Sequence, residues 1–246
     1  MGCIVSLRAH NTMQDSLRRT FSERREADDT HGLRLGGVLV PAALVGVSAL
    51  CVDNGWLKKQ RENVQDVLSA RGKNKFRADD YIQYAPMVAV YGLNLSGVKG
   101  KHGFKDRTII LAMSYATMGI LVNTMKYSFR ERRPDSPSRN SFPSGHTATA
   151  FMGAEFLRRE YKDVSPWIGY AGYAVAFTTG YLRIYNDRHY IKDVIAGACI
   201  GVLSTELAYW LYPKCFKRAR CNERMALTGM PYCSMETYGL NMAVRF

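Results

Sequence analysis

Lys126, Arg133, Arg183, His146, His189 and Asp193 are side chains that could together move a phosphoryl group. They fall in three clusters: Lys126-Tyr127-Ser128-Phe129-Arg130-Glu131-Arg132-Arg133-Pro134, then Pro143-Ser144-Gly145-His146, then the run from Arg183 to Asp193. Phosphoryl transfer spreads negative charge over three equatorial oxygens, so its catalysis is mostly positioning and charge stabilisation. Lys126, Arg133 and Arg183 offer a cation for each oxygen, a set that asks for no metal or other cofactor. His189 is a candidate nucleophile. Asp193, four residues on, would hold one imidazole nitrogen and leave the other to attack. His146 is a second histidine, free to act as an acid. A nucleophile, an orienting carboxylate and a separate acid make a complete covalent cycle.

Local elements must bring these groups together. Lys126 and Arg133 are seven residues apart, two turns along one helix face. Pro134 biases Arg133 out of the helical region, so the helix is expected to end there with Arg133 at its tip. Pro143 suits a helix start, with Ser144, Gly145 and His146 in the first turn. Unpaired backbone N–H groups there would bind an anion, and Gly145 lets the backbone come close. His189 and Asp193 are expected on one helix, with the carboxylate beside the ring rather than capping the helix end. Read singly, each cluster has an ordinary explanation. A histidine beside arginine is usually a surface residue, the arginines suit the end of a membrane helix, and Pro-Ser-Gly suits a turn. Their joint occurrence in this order points to catalysis.

With these residues in place, the chain resembles the type 2 phosphatidic acid phosphatase superfamily, which holds membrane lipid phosphatases, bacterial acid phosphatases and vanadium haloperoxidases. The resemblance rests on Lys126, Arg133, Pro134, Pro143, Ser144, Gly145, His146, Arg183, His189 and Asp193 and covers about residues 33–213. One position departs: Leu182 stands where the family has serine, which puts fine substrate positioning in doubt. The resemblance implies a helical bundle of acid phosphatase–haloperoxidase type, phosphate binding by Lys126, Arg133, Ser144, Gly145 and Arg183, a phosphohistidine on His189, and His146 protonating the leaving oxygen. It is closest to bacterial envelope phosphatases acting on lipid A or on isoprenoid and glycerolipid phosphates. A soluble-type acid phosphatase or a vanadate-dependent haloperoxidase is the alternative.

Composition agrees with an acidic, membrane-borne substrate. The chain has 246 residues and a net charge of +13. No zinc-finger spacing, nucleic-acid motif or basic helix with interleaved aromatics is present, so nucleic acid is not an expected partner. Basic residues lie in runs between apolar segments, which suits phospholipid headgroups. Those segments are Leu35–Val52, Tyr81–Val98, Thr108–Met125, His146–Leu157, Trp167–Leu182 and Val194–Tyr212. They predict an all-α, six-helix transmembrane bundle. Several are shorter than the roughly 20 residues a span needs, and Glu155 and Glu206 fall inside two of them.

With six spans, the third and fifth connections share one side, and all three clusters meet there. The opposite connections carry Lys99, Lys101, Lys105 and Arg107, then Arg158, Arg159 and Lys162, then Lys214, Lys217, Arg218 and Arg220. They read as cytoplasmic, with the active site expected on the periplasmic face of a bacterial inner membrane. The active-site side is also basic, through Lys126, Arg130, Arg132, Arg133, Arg183 and Arg188, so the charge rule alone does not settle orientation. Trp56–Asp80 reads as a polar segment on the active-site side, either a cap over the headgroup or a solvated linker. Arg139 and Asn140, between the first two clusters, are candidate headgroup contacts.

The flanks are residues 1–32, polar and without the apolar core of a cleavable signal peptide, and residues 214–246. Met1-Gly2-Cys3 matches a lipidation pattern that a six-span protein does not need. No CxxC pair supports structural zinc or a redox motif. Tyr238–Phe246 alternates apolar with small and polar residues, so a small C-terminal β-hairpin with Met225–Cys233 is expected.

Overall fold

The computed structural model describes residues 35–51, 77–217, 226–233 and 238–245. Its α-helices are α1 (Leu35–Leu50), α2 (Asp79–Ile82), α3 (Ala85–Leu95), α4 (Phe104–Phe129), α5 (Gly145–Tyr161), α6 (Pro166–Tyr185) and α7 (Ile191–Tyr212). A π-turn, Pro213–Lys217, continues α7. The chain is therefore mostly helical, and the described residues hold seven α-helices where six were expected. The additional helix is the single turn α2. Gln83 and Tyr84 separate it from α3, where the sequence suggested one segment. At the C-terminus the backbones of β1 (Ala226–Cys233) and β2 (Tyr238–Arg245) pair antiparallel, Ala226 opposite Arg245 and Cys233 opposite Tyr238. The Trp56–Asp80 segment lies outside the described residues up to 76.

Helix α5 is the centre of the bundle, packed mainly between α6 and α7 and touched by α3 and α4. Small residues let its neighbours approach closely, as in helix pairs within membranes. A Cβ at Gly197 would run into the Ser144 carbonyl, and one at Gly201 into the Ala148 carbonyl. One at Gly172 would meet Leu157 Cδ2 at 2.9 Å. This proximity ties the start of α5 to the first half of α7, the two elements that carry the second and third clusters.

Two described helices are long and apolar enough to cross a membrane, Phe104–Phe129 and Ile191–Phe216; Val38–Leu50 and Ala85–Leu95 are apolar but shorter. Large apolar side chains face outward on α4 and α6, among them Ile120, Trp167 and Phe177 (66% exposed). Large exposed apolar faces of this kind mark contact with lipid or protein.

The charge reading of the loops needs correction. Arg107 is 1% exposed and ion-pairs with Glu160, and Arg158 and Arg159 belong to the last turn of α5, where they pair with Glu155 and Glu206. Arg107 is buried with its carboxylate, and the half-buried Arg158 and Arg159 neutralise the buried Glu155 and Glu206, because a buried charge needs a partner. These cations do not report which side of a membrane they face.

Candidate active site

The first cluster differs locally from expectation. Helix α4 stops at Phe129, and Arg130 caps it in the left-handed region at φ 46°. Arg133 is thus in the following loop, not at a helix tip and not on the face of Lys126. The loop doubles back: Arg133 N–H donates to the Ser138 carbonyl (3.0 Å), and Ser141 N–H to the Glu131 carbonyl (3.0 Å). Lys126 stays in the last turn of α4, and a Cβ at Gly145 would lie 3.8 Å from its Nζ. That places the end of α4 against the start of α5.

Pro143, joined to Phe142 by a cis peptide, precedes the second helix instead of opening it. Ser144 is the N-cap and α5 begins at Gly145. Ser144 is buried, with its N–H donating to the Asp193 carbonyl (3.0 Å) and its hydroxyl paired with that of Thr147 (2.9 Å). The first N–H groups of α5, from Gly145 onward, have no intrahelical acceptor.

In the third cluster, Arg183 lies in the last turn of α6. Asp187 turns the chain at φ 59°, and the N–H groups of Arg188 (3.0 Å) and His189 (3.4 Å) return to the Arg183 carbonyl. This tight turn puts His189 beside Arg183. Helix α7 begins only at Ile191, so His189 and Asp193 do not share a helix. Asp193 is nonetheless close, with Oδ2 3.7 Å from His189 Nδ1, which is longer than a hydrogen bond. That oxygen accepts from Ser141 Oγ (2.5 Å) and from Tyr190 N–H (3.1 Å). Asp193 is therefore also a helix cap, contrary to the expectation that it would not be. Lys192 Nζ, 3.2 Å from Asp193 Oδ1, balances its charge and also pairs with Glu131.

Sequence reasoning missed Asp79 and Asp80. Arg183, 2% exposed, donates from Nη1 to both carboxylates and from Nη2 to His146 Nδ1 (3.1 Å). His146 Nε2 lies 3.1 Å from Asp80 Oδ1. Two adjacent acids ahead of an apolar segment were the available signal, and it is weak. Arg139 and Asn140 are exposed, on the loop that follows Arg133.

The assembled site is rich in unused donors. Among the described residues, Arg133 Nε, Arg183 Nε, Arg188 Nε and His189 Nδ1 are buried with no hydrogen-bond partner. Buried polar atoms are nearly always paired. Arg188 Nε lies 3.6 Å from Asp135 Oδ2 and His189 Nδ1 faces Asp193, so the spare Nε donors of Arg133 and Arg183 are the ones that indicate a place for an anion. Burial, and next the charge of Arg183, push the Arg133 guanidinium below its ordinary range. His189 is also shifted below its ordinary 6.5, chiefly by burial, with Asp193 opposing. A buried, neutral imidazole beside converging cations can attack a phosphorus whose oxygens those cations hold.

This fold and site define a class. Residues 107–217 match the family model described as the PAP2 superfamily. The chain is 39% identical over 158 residues to the lipid A 1-phosphatase of Porphyromonas gingivalis, covering 63% of this chain and 36% of that protein. It is 40% identical over 75 residues to the bacitracin transport permease protein BcrC of Bacillus licheniformis, covering 30% of this chain and 35% of that one. The chain thus spans about a third of the length of these curated relatives. The crystal structure of a transmembrane PAP2-type phosphatidylglycerolphosphate phosphatase from Bacillus subtilis superposes with a TM-score of 0.54 at 20% identity. The superposition covers 71% of this chain and 96% of that one, and supports the fold.

Proposed function

We propose that this chain is an integral membrane phosphatase that removes phosphate from a lipid, with lipid A, through its 1-phosphatase relative, the leading substrate. Undecaprenyl pyrophosphate and phosphatidylglycerol phosphate present the same chemistry, a phosphate on an apolar anchor. The observation that carries the reading is the convergence of His189, Arg183 and Arg133 with unpartnered buried donors, next to the open start of α5 and Lys126. In this reading, residues 33–213 are the phosphatase domain, the six longer helices form the transmembrane bundle, and the site opens on the periplasmic face of a bacterial inner membrane.

Lys126, Arg133, Arg183 and the first N–H groups of α5 hold the phosphate oxygens. Ser144 acts by fixing the start of α5, since its own N–H and hydroxyl are engaged. His189 Nε2 attacks phosphorus while Asp193 faces Nδ1–H, and His146 gives a proton to the leaving lipid oxygen. Water then hydrolyses the phosphohistidine and returns a proton to His146. Arg139 and Asn140, exposed on the loop beyond Arg133, remain headgroup contacts in this scheme.

The test is phosphate release by the purified full chain in detergent, with EDTA, from the three lipids in parallel. Release from at least one lipid, undiminished by EDTA, is expected, because protein cations take the place of a metal. Activity abolished by chelation and restored by magnesium would reject the mechanism. Release from none of the lipids would reject the substrate class.

A further inference from the structure

Two carboxylates that this reaction does not yet use lie against two of its groups. Asp79 and Asp80 form the first turn of α2, with Asp79 104 residues before Arg183 in the chain. They are not equivalent. Asp79 has a 3% exposed side chain, accepts from Arg183 Nη1 and also takes Asn186 Nδ2 at 3.3 Å. Asp80 has a 31% exposed side chain and reaches both Arg183 Nη1 (3.3 Å) and His146 Nε2 (3.1 Å).

The contacts fix which nitrogen of His146 does what. A guanidinium has donors only, so His146 Nδ1, 3.1 Å from Arg183 Nη2, accepts there. The ring proton is then on Nε2, facing the Asp80 carboxylate, which can only accept while ionised. Of the two nitrogens, Nδ1 is the one beside a phosphate-binding cation.

We propose that Asp80 is the positioning residue of His146: it holds Nε2–H and so commits Nδ1 to proton exchange with the leaving oxygen. The proposal rests on the acid role given to His146 above. When a phosphate oxygen takes Arg183 Nη2, Nδ1 is freed for the ester oxygen. Nδ1 then takes a proton from the entering phosphate monoanion, and the imidazolium, its charge offset by Asp80, gives that proton to the ester oxygen as the P–O bond breaks and the N–P bond to His189 forms. The neutral ring, still tied through Nε2–H, takes a proton from the water that cleaves the N–P bond, and free phosphate leaves. The two histidines thus work through opposite nitrogens. Asp193 faces Nδ1 of His189 and Asp80 faces Nε2 of His146.

A carboxylate that merely fastened α2 to α6 would affect all substrates alike. A partner of the acid affects those whose leaving oxygen needs a proton. The experiment compares kcat/KM for n-octyl phosphate, a poor leaving group, with 4-nitrophenyl phosphate, a good one, in the same micelles. Wild type, Asp80→Ala, the isosteric Asp80→Asn and His146→Ala are measured, with thermal melts of each. For Asp80→Ala the octyl ester is expected to fall by about 100-fold, the low end of general-acid effects, and the aryl ester by less than about tenfold. Asp80→Asn, which keeps an acceptor and loses the charge, falls between wild type and Asp80→Ala and carries the test if the alanine variant does not fold. Equal losses on both esters, or none, with a selective loss in His146→Ala, would overturn the role of Asp80 alone. No selective loss in His146→Ala would remove the acid role and the proposal with it.

Discussion

Helix α5 has ionic clusters at both ends, and they are settled differently. At its C-terminal end, Glu160 accepts from His102 Nδ1 (2.7 Å), Arg107 Nε (3.2 Å) and Tyr209 Oη (2.7 Å). Glu155 is matched by Arg158 (Nε at 2.7 Å) and Tyr173 (2.5 Å), and Glu206 by Arg159 (Nε at 3.0 Å). Every carboxylate there has its cation, and at this end Arg107 Nη1 is the one buried side-chain donor left over among the described residues. At the N-terminal end, around Gly145 and His146, four buried donors are left over. Folding alone would favour closing such a surplus, as it does one end away. The contrast separates a scaffold end, nearly fully hydrogen-bonded, from an end whose arginines, though partly ion-paired, keep spare donors.

The largest expected effect breaks the site end. His189→Ala should lower turnover on an accepted lipid phosphate by several orders of magnitude, since a covalent nucleophile is lost. Its melting temperature at neutral pH should stay close to that of the wild type. Residual activity above about a tenth of normal would reject His189 as nucleophile. Glu160→Ala breaks the scaffold end instead. It strands Arg107, 1% exposed, and should cost about 3–5 kcal/mol of stability, as breaking one partner of a buried pair does. Turnover per folded molecule should be unchanged, measured by activity against the folded fraction in detergent. If Glu160→Ala lost turnover while melting normally, the two ends would not be functionally distinct.

That Arg183, His146, His189 and Asp193 would lie together was legible in the sequence, because the reading depends on residue types in a fixed order, and those survive without coordinates. The geometry was less so. Pro134 signalled that Arg133 could not be helical, but nothing in Phe129-Arg130 signalled that a non-glycine residue would take the left-handed cap and end α4 earlier. The four-residue spacing of His189 and Asp193 suggested one helix. Ile191, the first residue of α7, follows the turn that brings His189 to Arg183, so Asp193 caps where it was expected only to orient. Asp79 and Asp80 could not be found from spacing at all, since their partners lie across the bundle. The same holds for Glu155 and Glu206, which looked costly inside apolar segments until Arg158 and Arg159 of α5 were seen to meet them.

The smallest expected effect sharpens the comparison through pH. His189 is buried and, chiefly for that reason, its imidazole titrates below its ordinary 6.5, with Arg183 and Arg133 adding to burial and Asp193 opposing. An unfolded chain takes up that proton near pH 6.5, while the folded chain does not until lower pH. The unfolded state therefore binds more protons in between, and stability falls as pH drops through that window. Above it, the contribution is fully present. One such group can supply at most about 1.4 kcal/mol per pH unit. Thermal melts of wild type and His189→Ala in detergent, from about pH 8 down to about pH 5.5, read this directly, the window being set by the 6.5 starting point. The two curves should run parallel at the upper end, and the wild type should lose melting temperature faster below pH 6.5. Parallel curves throughout would mean that His189 is not held neutral by its surroundings. The site's spare guanidinium donors would then lack the uncharged nucleophile that makes them useful.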